Sequence, residues 1–199
     1  MLVLTEAEVE QWFASIPKTE ESIHCEDSEL FYTYPESNGI DIEYPSKLGR
    51  LPFLARCVAT IGYEAIHFSG AMLWITQWGV WNDLDEGTGY RIIEAFRTAA
   101  GQPKSFEAAA AHQFRADELD QAIGSLMQPM IFGWDANYYP RWSYGGQSEF
   151  FVHVSHDSFV SVVTRTKEFY DRAFRQLKAC DLNPKAGHDM QIRRFCRKP

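Results

Sequence analysis

No apolar run of about 18 uncharged residues occurs in the sequence, so no membrane-spanning helix is expected. The longest candidate, residues 65–80, is broken by His67, Ser69, Gly70 and Gln77. The opening, Met1-Leu2-Val3-Leu4-Thr5-Glu6, has no basic leader and turns acidic at once, which argues against a secretory signal. Cysteine is scarce. Cys25, Cys57, Cys180 and Cys196 show no Cys-x-x-Cys spacing, so neither a zinc knuckle nor a thioredoxin-like motif is expected. Reduced thiols in a cytoplasm are the simpler expectation for a chain with this much apolar residue. Also missing are Gly-x-x-x-x-Gly-Lys-Ser/Thr, Gly-x-Gly-x-x-Gly and Gly-x-Ser-x-Gly. Phosphate cradling and a nucleophile elbow therefore have no sequence signature here. Internal repeats and low-complexity tracts are absent as well.

What is present is a 199-residue chain with 45% hydrophobic and 23% charged residues, the composition of one globular domain. Aromatics reach 15%, so large rings must fill the core and find partners. The net charge of −8 is unevenly spread. Residues 1–49 carry eleven acidic side chains against Lys18 and Lys47, whereas residues 164–199 carry ten basic side chains against four acidic ones. Mutual attraction within the fold explains such a division, and so does an acidic docking surface for a basic partner.

Thr5-Glu6-Ala7-Glu8 fits a capping box, followed by Val9, Trp12, Phe13 and Ile16 on one helical face and a stop at Pro17. Residues 18–49 read as loop, apart from a short strand near residues 30–34. Pro52 suits the first turn of a second helix with Leu54, Val58 and Ile61 inward, stopped by Gly62. Residues 71–78 read as a buried strand and residues 82–85 as a turn. A helix with Ile92, Ile93 and Phe96 inward follows, ended by Gly101 and Pro103. Residues 106–112, rich in alanine, predict a short helix. Asp117 is expected to cap the next helix, which Pro129 ends or kinks. Residues 133–139 read as a strand, and residues 150–154 and 159–163 as a β-hairpin around residues 155–158. A closing helix spans about residues 167–179. The expected fold is α+β: a small antiparallel or mixed sheet, helices packed mainly on one face, and a C-terminal hairpin followed by that helix. Residues 1–180 form the expected domain and residues 181–199 a loosely attached basic tail.

His153-x-x-His156-Asp157, with remote His188 and Asp189, offers metal-ligand types, but residues three apart on a strand face opposite ways unless a turn intervenes. Turn residues bonding local backbone explain His156 and Asp157 better, so no metal or other cofactor is expected. Asp83-Leu84-Asp85-Glu86-Gly87 misplaces the glycine of a calcium loop. Acidic pairs such as Glu20-Glu21, Glu26-Asp27 and Asp41 with Glu43 read as a solvated face. Trp74, Thr76 and Trp78 would share a strand face, as core or as a stacking platform. Tyr138, Tyr139, Trp142 and Tyr144 are expected in surface loop, where binding residues concentrate. The candidate binding residues are these four with Trp134, Asp135, His153 and His156.

Leu73-Trp74-Ile75-Thr76-Gln77-Trp78-Gly79-Val80-Trp81 resembles a segment carried by some uncharacterised bacterial proteins. Phe132-Gly133-Trp134-Asp135 and Ser155-His156-Asp157 are similar to later segments of the same group. The resemblance implies a bacterial source and no mechanism. The functional expectation is a non-enzymatic, immunity- or adaptor-like protein that binds a basic protein partner, away from membrane and nucleic acid. The alternatives are a small-molecule or metal-dependent enzyme near His153, His156, Asp135 and Tyr138, and a carbohydrate or nucleobase binder using the Trp/Tyr loop.

Overall fold

A computed structural model describes residues 1–14, 24–26, 29–31, 38–61, 68, 70–77, 83–106, 108–140, 150–164 and 166–187. Its strands are β1 (Leu2–Leu4), β2 (His24–Glu26), β3 (Glu29–Phe31), β4 (Asn38–Glu43), β5 (Ala71–Gln77), β6 (Ala111–Phe114), β7 (Asp135–Pro140), β8 (Phe150–Ser155), β9 (Phe159–Thr164) and β10 (Lys185–Ala186). Its helices are α1 (Glu6–Ala14), α2 (Leu51–Ala59), α3 (Asp83–Ala99), α4 (Leu119–Phe132) and α5 (Lys167–Ala179). Eight strands form one sheet in the order β1-β6-β5-β7-β8-β9-β4-β10, and β2 pairs with β3 separately. Every pairing is antiparallel. The α+β class and the closing hairpin–helix unit are as the sequence predicts. No helix among the described residues is long and apolar enough to cross a membrane.

The sheet is covered on both faces, unequally. Ile40, Ile42, Leu73, Ile75, Ala136, Tyr138, Val152, Val154, Val160 and Val162 form a core with residues of α2, α3, α4 and α5. The opposite face carries a smaller cluster of Leu4, Val9, Met72, Ala111, Tyr139, Phe151 and Val163, with α1 supplying Val9 and Trp12. Burial on both sides is why β8 is apolar almost throughout.

Local chemistry sets several boundaries. The capping box at α1 is formed: Thr5 N donates to Glu8 Oε2 at 2.7 Å, and Glu8 N donates to Thr5 Oγ1 at 3.4 Å. Thr166 Oγ1 accepts from Phe169 N at 3.1 Å and starts α5. A three-residue turn joins β8 to β9, with Ser158 left-handed at φ 66°. α4 runs through Pro129 and does not stop there. Gly133, at φ 64°, ends it, and Trp134 N donates to the Pro129 carbonyl at 3.0 Å. Residues 130–132 are thus helix and not a lead into strand β7. Glu118, not Asp117, takes the N-cap position of α4, and its carboxylate is spent on Arg115 N at 2.8 Å and on the Met1 ammonium.

Four further expectations are corrected. Strand β1 precedes α1, and β4 occupies part of the expected loop. Residues 182–187 are not a loose tail: Pro184 is buried, and β10 adds to β4. Residues 188–199 and Gly62 lie outside the described residues. Asp83 onward, expected as turn, is already α3.

The alanine-rich segment after α3 is not a helix, and Arg97 gives the reason. This side chain is fully buried. Its Nη1 donates to the carbonyls of Lys104 and Ser105 at 3.2 and 2.9 Å, and its Nη2 donates to the Ala109 carbonyl. Its Nε donates to His112 Nε2 at 3.0 Å, and its charge lies 5.4 Å from the Phe106 ring. Carbonyls that a helix would use are occupied, and residues 111–114 continue as β6 between β1 and β5. Burial pulls the guanidinium down to about 10 without discharging it at neutral pH. Burial first, and then the Arg97 charge, pull His112 down to about 3.

Replacing Arg97 by Met should lower unfolding free energy by about 3–5 kcal/mol, the range for breaking a buried charged network. Urea denaturation measures this, and a loss below about 1 kcal/mol would deny Arg97 its organising role. His112 refuses in the folded state a proton that it takes when unfolded. Its contribution is therefore complete above about pH 6.5 and falls by about 1.4 kcal/mol per pH unit on acidification towards pH 3. Urea curves at pH 7 and pH 5 should show this loss in the wild type and not in His112→Gln.

Candidate functional site

Alternation along strands places odd-numbered residues of β4, β7, β8 and β9 on the face away from the four-helix layer. Asn137 lies opposite His153, His153 opposite Ser161, and Ser161 opposite Asp41. One in-register polar row thus crosses four strands. It continues from Trp74 of β5, which pairs with Asn137. One step along the strands, Met72, Tyr139, Phe151 and Val163 make the same face apolar.

The row is internally bonded. His153 Nδ1 lies 3.1 Å from the side-chain amide of Asn137, at Oδ1. Ser161 Oγ donates to Asp41 Oδ1. Asn137 and Ser161 are completely buried and His153 is 4% exposed. The Asn137 Nδ2 donor has no partner among the described residues.

At the hairpin end of this row stands Asp135. Its Oδ1 accepts from the backbone N–H of His156 at 2.8 Å and from His156 Nδ1 at 2.9 Å, and His153 Nε2 is 4.0 Å away. His156 begins the β8–β9 turn, and that turn is what brings it back towards His153. The Asp135 carboxylate is 13% exposed and the His156 side chain 23% exposed. His156 Nε2 lies 3.5 Å from the exposed carboxylate of Asp157. Tyr44 closes one side: its hydroxyl donates to the Ser155 carbonyl at 3.1 Å. Burial, followed by the charge of Asp135, raises the Tyr44 phenol well above its ordinary value and keeps it protonated.

Asp135, His153 and His156 are therefore the sequence-predicted residues that meet. Trp134 is a core ring, 5.1 Å from Phe132, 5.4 Å from Phe106 and 5.8 Å from Tyr90. Gly89 of α3 is what admits it, since a Cβ there would fall 2.7 Å from the indole. Tyr138 and Tyr139, expected in exposed loop, are buried in β7 because both faces of the sheet are covered. Tyr138 donates to the Ala59 carbonyl at 3.1 Å on one face, and Tyr139 stacks on Phe151 at 6.0 Å on the other. Trp142, Tyr144, Trp78 and Trp81 lie outside the described residues. Trp74 and Thr76 are half-buried, with Trp74 packed on the smaller cluster. Asn137, Ser161, Asp41 and Tyr44 were missed by sequence reasoning. For Asn137, Ser161 and Asp41 the signal was the odd-numbered spacing of polar residues in otherwise apolar strands, which gains meaning only with the register.

Asp135, His153 and His156 share carboxylate and imidazole chemistry, yet Asp135 and His156 are bonded to each other and do not converge on a common point. Among the described residues no group of three or more His, Cys, Asp or Glu side chains could hold a metal ion. What the pair offers is an imidazole whose Nδ1–H is tied to a carboxylate, which fixes the ring's tautomer and orientation. No protein-family model matches the sequence, and neither a curated protein nor a solved structure matches it.

Asp135→Asn should release that tautomer. Nitrogen-15 spectra of labelled histidine should show His156 with its proton on Nδ1 in the wild type and distributed over both nitrogens in the variant. An unchanged Nδ1–H signal would show that another group sets the tautomer.

Proposed function

We propose that this chain binds a small polar molecule at the Asp135–His156 pair. The observation that carries this reading is the shielded carboxylate of Asp135 held 2.9 Å from the Nδ1 of a partly exposed imidazole. A carboxylate so placed holds the ring in one orientation. The molecule would offer a hydroxyl, an acid or an amide to Nε2, and the backbone–carboxylate contact at His156 keeps the receiving geometry fixed. The described rings favour this reading over protein capture by an aromatic surface. Trp134, Tyr138 and Tyr139 are buried in the core.

The test is ligand titration followed on the histidine resonances, with a panel of carboxylic acids, polyols, amides and nucleosides at millimolar concentration. At least one class should move the His156 signals saturably, and Asp135→Asn should weaken that response about tenfold. A panel that leaves His156 unmoved throughout, on protein whose fold is intact by circular dichroism, would overturn the proposal.

A further inference from the structure

Two thiols far apart in sequence meet on the opposite side of the sheet from this cluster. Cys57 lies in the last turn of α2 and is buried, while Cys180 follows α5 at its C-cap and is half-exposed. The Cys180 side chain lies near enough to Cys57 to help raise its thiol. Independent contacts hold the two helix ends together: Gln176 Nε2 donates to the Thr60 carbonyl at 3.1 Å, and Arg50 Nη2 pairs with Asp181 Oδ2 at 3.2 Å. The backbone turns sharply just after Cys180, with Asp181 left-handed at φ 53°.

We propose that Cys57 and Cys180 form a reversible disulfide that staples α2 to α5 when the protein meets a low-molecular-weight disulfide. The roles of the two sulfurs differ. Burial, reinforced by the nearby Cys180, pushes the Cys57 thiol up to about 12, so Cys57 is not the point of entry. Cys180, within reach of solvent, attacks as the thiolate on one sulfur of the oxidant. The oxidant's S–S bond breaks, and one small thiol leaves. Cys57 then gives up its proton and attacks the Cys180 sulfur, displacing the second small thiol. The two protein thiols lose two hydrogens to the oxidant, which ends as two thiols. The link closes a loop covering most of the chain and fixes the helix end from which residues 181–187 run to β10.

The experiment treats the folded protein, with Cys25→Ser and Cys196→Ser to remove the other two thiols, with glutathione disulfide. Acid quenching, alkylation and mass spectrometry follow. The expected product has lost two hydrogens, carries no glutathione and yields a peptide joining Cys57 to Cys180. Its Tm should rise by about 5–15 °C, as expected for a long closed loop in a domain of this size. Adding Cys57→Ser should instead leave glutathione attached to Cys180. Peptide mapping of the oxidised wild-type chain checks the same linkage should the background variants fail to fold. A linked peptide that forms only in denaturant, a lowered Tm or unlinked thiols in the folded wild type would each overturn the proposal.

Discussion

A guanidinium sealed between α3 and the sheet must find hydrogen-bond acceptors there, and that requirement organises one half of the fold. Arg97 finds them in three main-chain carbonyls and a neutral imidazole. An isolated buried charge would cost far more than a domain can spare, so the loop after α3 wraps around the cation and turns its carbonyls inward. That wrapping delivers β6 to its place beside β5, and β1 then pairs with β6. The Phe106 ring, set beneath the charge, also stacks on Trp134, so the same cation is continuous with the aromatic cluster where α3, α4 and the start of β7 meet.

Two histidine environments differ accordingly. His112 serves as an acceptor for Arg97 and is held neutral by burial beside a positive charge. His156 stands at a turn, partly open, with a carboxylate on its inner nitrogen. The same side chain is locked neutral in one setting and tied to a carboxylate in the other, and the difference comes from neighbours.

Much of this was legible in the residues. The capping box at Thr5, the hairpin around residues 155–158, the buried strand at residues 71–77 and the closing amphipathic helix all declare themselves by local chemistry. Strands β1, β4 and β10 did not, because two are very short edge strands and the third is split by polar residues whose purpose depends on the partner strand. The alanines at residues 108–111 misled because intrinsic helix preference was outbid by Arg97, which lies a dozen positions earlier. Within the site, Asp135, His153 and His156 could be named from residue type. Their neighbours Asn137, Ser161 and Asp41 could not, since a cross-strand row exists only once the register is set. Tyr138 and Tyr139 were misplaced for a related reason: a strand roofed on both sides swallows rings that a one-sided sheet would show to solvent.

The strand order carries a consequence for how the molecule assembles. Strands β7, β8 and β9 are sequential neighbours and can zip as a meander soon after collapse. β4 reaches β9 only by closing a long loop: Asp41 and Ser161 stand 120 positions apart. Loop closure of that span is entropically slow, so the meander forms first and offers an unpaired β9 edge until β4 arrives. During that interval the half-built sheet is open to strands of other molecules. The finished molecule instead ends its sheet in the three-residue β1 and the two-residue β10, edges too short to recruit a neighbour.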